Sequence, residues 1–363
     1  MRTINEHDIR AILYGVSFLA GGGGGSLFDG LDMLDYNIKK RSSIQIQMMD
    51  IDELREDAYA VMIAGMGAPS VLKQKEEKFR YEAGYTYDGM VEAAKRQGKR
   101  IEAIYPIEYG SVNYMIPFIA AMERGVPIVD VDGCGRAVPG LDTTLLNINK
   151  IAFCPSVACD DKENMVHVYT KDPFDCVTAE KICRNLCGGF DFVMGLGGWI
   201  ASAEELKEKA AVGAIAYAEK VGKVILQVKE RGGDIYEELR KVMELRPAVT
   251  GKVVKQETVM SKAHDIGYSQ ILGEDGKTYF VDIKNESIVF RSEDEVLLTC
   301  PDMLCAVNLD TMDPTPNSDV NEGDRIAYFA VPAPRAWFNV PEGTTLWKPY
   351  FEAVGYHGDV VAY

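Results

Sequence analysis

Apolar residues recur at helical spacing from Glu6 to Ala20, at Ile9, Ile12, Leu13, Val16 and Leu19, and the run stops at Gly21. This is an amphipathic helix ended by glycine, which leaves a helix at little steric cost. Five consecutive glycines, Gly21 to Gly25, lead to Ser26 and Asp29, either of which can cap a second helix running towards Lys40. The glycine run therefore joins two helices. Beyond it, strand-length apolar runs alternate with helical periodicity. Strands are expected over 44–49 and 58–64, a helix over 87–97, a strand over 100–105, a helix over about 112–124 and a short strand over 127–131. This alternation predicts an α/β fold, a parallel or mixed sheet with helices packed on it, whose ligands belong at the carboxyl ends of strands. Three loops have that address: those after Ala64, after Tyr105 and after Val131.

The second half reads differently. A strand near Val166, a helix over 178–187, an apolar strand over 190–194 and one long helix over about 203–231 precede Pro247. Short β-type runs then follow over 251–259, 278–283, 287–291, 296–299 and 324–331, separated by turn signals such as Glu274-Asp275-Gly276 and Asn321-Glu322-Gly323. His264-Asp265 reads as a turn, and the stretch from Pro332 to Trp337 as rigid and extended. The expected organisation is an α/β domain over 1–168 and an α+β domain over 169–363, β-rich from about 247.

A formal charge of −16, from 39 basic against 55 acidic residues, and the lack of a dense Lys/Arg cluster argue against a nucleic-acid partner. The apolar stretch 12–19 is short of the roughly 20 residues a membrane span needs, and Glu6 and Asp8 do not suit a signal peptide, so a cytoplasmic location is expected. None of the eight cysteines forms a C-x-x-C pair, and buried reduced thiols outweigh a zinc site or disulfides.

Three motifs carry chemistry. One glycine would serve a tight turn. Five allow positive φ and close approach to a ligand, and Gly22, Gly23, Gly24, Gly25 and Ser26 would present amides at a helix N-terminus as an anion site. Neither the lysine of a P-loop nor a dinucleotide fingerprint accompanies them, so no nucleotide cofactor is expected. Gly65 and Gly67 mark the glycine loop Gly65-Met66-Gly67-Ala68-Pro69 after a strand. Asp130 and Asp132 lie two apart at a strand end, on the same side while the strand lasts. There they form an acid and base pair, hold a divalent cation together, or cap backbone amides, while Arg136 neutralises them or clamps a ligand carbonyl. Glu108 precedes a helix, where its negative charge is favoured and it should be ionised, with Asn113 in the first turn.

The ordered set of motifs resembles the S-methyl-thiohydantoin desulfurase family. The stretches that carry the resemblance are Leu19-Ala20 with Gly21 to Gly25, Gly65-Met66-Gly67-Ala68-Pro69, Glu108-Tyr109-Gly110-Ser111-Val112-Asn113, and Pro127 through Asp130, Asp132 and Arg136 to Pro139. Later come Lys284-Asn285-Glu286-Ser287, Pro301-Asp302-Met303-Leu304, Val331-Pro332-Ala333-Pro334 with Trp337, and Gly355-Tyr356. Two departures stand out: Gly140 follows Pro139 where the family commonly has an acid, and Cys134 stands where methionine is frequent. The resemblance implies two domains dividing near residue 170 and hydrolytic removal of methanethiol from an S-methylated thiohydantoin. It also implies cyclic imides or ureas as the substrate class, and a hydantoinase-like partner or a homo-oligomer as the associations to look for.

Together these readings make Glu108, Asp130, Asp132 and Arg136 the candidate catalytic residues. Water would attack the ring carbon that bears sulfur, with Asp130 or Asp132 as base, directly or through a divalent metal. Glu108 or Arg136 would stabilise the ring, and Asn113 would orient it. Asp132, taken as solvent-facing, should then lose turnover as Asn at little cost in stability. The rival reading is a non-catalytic subunit that holds a small anion on the glycine loop within a hydantoinase-like complex.

Overall fold

The computed structural model describes residues 1–41, 43–67, 78, 80–261 and 264–363. An eight-stranded mixed sheet organises the first part of the chain. Its strands are β1 (Arg2–Asn5), β2 (Gln45–Met49), β3 (Tyr59–Gly67), β4 (Ile101–Tyr105), β5 (Ile128–Val129), β7 (Ser156–Cys159), β8 (Met165–Val168) and β9 (Val193–Ser202), in the order β1-β2-β5-β4-β3-β9-β7-β8. The centre, β2-β5-β4-β3, is parallel, and the flanking pairs are antiparallel. The expected α/β class with a mixed sheet is what the chain adopts. Strand β9 sits between β3 and β7, so the sheet draws strands from both sides of residue 169.

Helix α1 (Glu6–Leu19) starts on a capping box, with the Asn5 side chain accepting from the amides of His7 and Asp8 while Asp8 accepts from the Asn5 amide. Nearly all of it is buried from Ile9 onward. It can be so deeply covered because Gly15 presses against Ala218 and Gly222 against Ala11, bringing the two helix backbones together where a Cβ would not fit. Helices α2 (Leu27–Arg41), α3 (Arg80–Arg96) and α4 (Ser111–Arg124) lie close to the sequence expectation, although α3 starts earlier than its periodicity suggested.

The single helix expected over about 203–231 is in fact three elements: α5 (Ala203–Lys209), strand β10 (Ala211–Val212) and α6 (Ala214–Arg231). The break follows from Gly213, at φ 74°, and from β10 pairing with β6 (Val131–Asp132), a contact between distant segments that helical periodicity cannot register.

The rest of the chain builds a seven-stranded antiparallel sheet from β11 (Arg246–Ser261), β12 (His264–Gly273), β13 (Thr278–Lys284), β14 (Glu286–Ser292), β15 (Val296–Thr299), β16 (Met303–Asn308) and β17 (Arg325–Val331), ordered β15-β14-β13-β12-β11-β17-β16. His264-Asp265 opens β12 rather than forming a turn: residue 264 is already paired with Ser261. The stretch after Pro334 is a 3-10 turn, Arg335–Phe338, that buries Trp337 completely, and the Trp337 indole donates to the Cys134 carbonyl at 2.9 Å. All eight cysteines are free and buried. Among the described residues, no helix is long and apolar enough to cross a membrane.

Candidate functional site

The glycine loop lies at the seam between the two sheets. Gly21, Gly22, Gly24 and Gly25 have φ of 66°, 94°, 78° and 82°, which L side chains rarely adopt. Gly23 needs its missing side chain for another reason. A Cβ there would collide with the Glu286 carboxyl and stand 2.9 Å from the Ala137 Cβ. A Cβ on Gly24 would stand 2.5 Å from the Tyr109 carbonyl. The carbonyls of Gly21 and Gly22 accept from the Ser287 and Asn317 amides at 3.0 and 2.8 Å, stitching the loop to the second half of the chain.

The first amides of α2 itself are capped from within. Asp319 Oδ2 accepts from the Leu27 amide at 3.0 Å, and Ser26 Oγ accepts from the Phe28 amide at 3.2 Å. A carboxylate from the other half of the chain thus occupies the helix start at Leu27 and leaves the glycine amides before it. Among the described residues, the amides of Gly23, Gly24 and Gly25 meet no protein acceptor.

The loops after β4 and β6 close against the glycine loop through backbone bonds. Gly133 donates to the Pro106 carbonyl at 3.1 Å, Tyr109 to that of Arg136 at 3.2 Å, and Ala137 to that of Ala20 at 3.2 Å. The Val138 amide donates to Glu108 Oε2 at 2.6 Å. The helix start that Glu108 precedes favours its charge, yet its carboxyl is shifted the other way. Close packing holds its proton well above the usual carboxylate range, the Glu286 charge adds to this, and the bond from Val138 opposes it.

Glu286, at the start of β14, is 3% exposed, and its Oε2 has no hydrogen-bond partner. Burial pushes its carboxyl up to about 7, with the Arg136 and Lys284 charges pulling the other way. Two acids thus face one another electrostatically beside the glycine loop. The sequence reading placed Lys284-Asn285-Glu286-Ser287 among the resembling stretches but not in the site, since nothing local shows that this hairpin reaches the glycine loop.

The other candidates have different surroundings. Asp130 Oδ1 accepts from the Ile215 and Ala216 amides at 2.7 and 3.2 Å and so caps α6. Asp132 is fully buried, not solvent-facing: Oδ1 accepts from the Cys134 and Gly135 amides at 2.8 and 2.6 Å, and Oδ2 from the Tyr114 hydroxyl at 2.8 Å. The two carboxylates share no partner, because the chain bends at Asp130 between β5 and β6. Asp130 Oδ1 and both oxygens of Asp132 are each taken by protein donors. Among the described residues, no three His, Cys, Asp or Glu side chains gather as a metal ligand set.

Arg136, also fully buried, neutralises neither aspartate. It donates to the carbonyls of Ala137, Pro301 and Asp302 and lies 4.7 Å from the centroid of the Trp347 ring, with one terminal nitrogen unpartnered. Asn113 reaches back to the Tyr109 carbonyl at 3.5 Å. Gly65 and Gly67 stay within β3, paired with Gly195 and Val193 of β9, apart from the glycine-loop contacts, and Ala68-Pro69 lie outside the described residues.

A second set of side chains adjoins these residues. The Tyr350 hydroxyl donates to Asp142 Oδ1 at 2.8 Å, and Lys284 Nζ lies 4.3 Å from the centroid of the Tyr350 ring. Gly140 leaves room for both partners, since a Cβ on it would stand 2.6 Å from Asp142 Oδ1 and 2.8 Å from the Tyr350 hydroxyl. Glu108 is thus bonded to Val138, and from Gly140, two residues on, Asp142, Tyr350, Lys284, Glu286 and Gly23 follow one another as neighbours. Glu108, Gly140, Asp142 and Lys284 each keep part of their surface exposed. Two surface clefts lie elsewhere: one of about 300 Å³ between α1 and α6, and one of about 230 Å³ beside Phe28, Asp313 and Asp324.

No curated protein matches the chain. A protein of Chromobacterium violaceum solved by X-ray crystallography shares the fold along the full length of both chains, with a TM-score of 0.87 at 20% identity. The family description "S-Me-THD-like, N-terminal domain" matches residues 7–170, and "S-Me-THD-like, C-terminal domain" matches residues 175–361. With both parts matched in order over nearly its whole length, the chain belongs to the S-Me-THD-like family, that of the S-methyl-thiohydantoin desulfurases.

Proposed function

We propose that this protein hydrolyses an S-methylated thiohydantoin, or a closely related cyclic imide, at the Glu108–Glu286 pair. The observation that carries the reading is a raised carboxyl pair from opposite halves of the chain beside glycines whose amides meet no protein acceptor. Two neighbouring raised carboxyls that hold one proton between them supply a base and an acid at neutral pH.

In this mechanism ionised Glu286 takes a proton from water as the water oxygen bonds to the ring carbon bearing sulfur. Glu108 gives its proton to the adjacent ring nitrogen. The carbon–sulfur bond then breaks, and methanethiolate leaves with the proton from Glu286. The hydroxyl proton of the intermediate returns to Glu108 as the ring carbonyl forms. The sum is substrate plus water giving hydantoin plus methanethiol, with both acids restored. Glycine amides are suited to receive the oxygen that develops charge. Asp130, Asp132 and Arg136 hold the loops in this reading and do not touch the ring.

Glu286→Gln is the test. It should cut methanethiol release, followed with a thiol reagent, by about 10²–10⁴-fold while the protein stays folded. Undiminished release would remove Glu286 from the mechanism.

A further inference from the structure

Lys284 closes β13, and Asn285, at φ 59°, turns the chain directly back into Glu286. Its ammonium is placed over the Tyr350 ring, where the π face attracts a cation, while the hydroxyl of that ring is engaged with Asp142. Both Asp142 and Glu286 act on Lys284 electrostatically, yet among the described residues no carboxylate forms an ion pair or hydrogen bond with it. An ammonium has three donors and no acceptor. Of the other cations nearby, Arg184 is engaged with Glu180, and Arg136 is fully buried, with all but one terminal nitrogen spent on backbone carbonyls. Lys284 is thus a half-buried cation beside Glu286, placed over a ring face and, among the described residues, paired with no carboxylate. Burial lowers its pKa, so a ligand of opposite charge would restore what desolvation takes away.

We propose that Lys284 is the anion-receiving group at this seam, binding the negative charge of a cyclic ligand. That charge comes from the ionised imide of the ring or from a carboxylate carried on it. The inference rests on the proposed ring-hydrolysing function for its ligand class, but the placement of Lys284 stands independently of the chemistry at Glu286. Hydantoin-type rings suit such a group because their imide N–H lies between two carbonyls and ionises more readily than an ordinary amide.

The test is calorimetric titration of the full-length protein, with Lys284→Met and Lys284→Arg beside it. The ligands are hydantoin, 3-methylhydantoin, and hydantoins bearing a 5-carboxyethyl or a 5-propyl group, with succinate as a ring-free anion followed by thermal shift. Lys284→Met should weaken binding of the charged ligand by roughly 10- to 100-fold, the range for a hydrogen bond to a charged group, and Lys284→Arg should recover part of it. If the loss vanishes for 3-methylhydantoin, the ring imide is the anion. If it is confined to the carboxyethyl ligand, the substituent is. If no ring binds the wild type but succinate stabilises it and not Lys284→Met, the anion role holds and the ring reading fails. Equal behaviour of wild type and Lys284→Met towards every ring and succinate would overturn the proposal.

Discussion

Asp132 offers a sharp test because its surroundings reverse what its position in the sequence suggested. It is completely buried, and its three hydrogen bonds come from Cys134, Gly135 and Tyr114. Burial outweighs those donors and raises its carboxyl from the ordinary 3.8 to about 7. Between those two values the folded protein holds a proton that the unfolded chain has released, so stability falls as pH rises through this window and levels off above it. At roughly 1.4 kcal/mol per pH unit, the full effect is about 4 kcal/mol. Asn at this position stays neutral, its oxygen can keep both amide bonds, and its nitrogen can donate to the Tyr114 hydroxyl. Urea unfolding of wild type and Asp132→Asn at pH 5 and pH 8 should therefore show the wild type losing stability relative to the variant by a few kcal/mol. Asp132→Ala should cost about 3 kcal/mol or more at either pH, because three buried donors lose their acceptor. Turnover should survive in Asp132→Asn. Parallel pH profiles for wild type and Asn would refute the argument, and a folded but inactive Asn variant would return Asp132 to the catalytic list.

Three further outcomes are expected. The kcat/KM of the wild type should rise about tenfold per pH unit up to about 7, where Glu286 ionises, and Glu286→Gln should lack that limb. A Cβ in Gly23→Ala meets the Glu286 carboxyl, so this variant should lose turnover and about 1–3 kcal/mol of stability, read from rate and melting temperature together. An unchanged rate would show that the loop can move away from Glu286. Asp319→Ala should cost about 1 kcal/mol by uncapping α2 and speed hydrogen exchange at the Leu27 amide. Unchanged exchange there would show that the cap contributes little.

Much of the local architecture was legible in the sequence. The period-3.6 pattern of Ile9, Ile12, Leu13, Val16 and Leu19 located α1, the five glycines located the helix-to-helix loop, and the alternation that follows located the parallel strands. These features depend on neighbours a few residues away, which is the range over which backbone geometry and side-chain periodicity act. The meeting of the glycine loop with the Glu108 and Asp132 loops was also foreshadowed, since all three follow elements of one sheet or its first helix pair.

What each acid does was decided only by the tertiary structure. Asp130, Asp132, Glu108 and Asp319 are all acids near loops or helix starts, and a sequence does not say which amide each will find. The fold gives Asp130 to α6, Asp319 to α2 and Asp132 to its own turn and Tyr114. Glu108 alone is brought against Glu286, a residue 178 positions later. Protonation follows burial and the nearest charge, both set by long-range packing. For that reason the Glu108–Glu286 pair, and the cation over Tyr350 beside it, emerge only when the two halves of the chain close on the glycine loop.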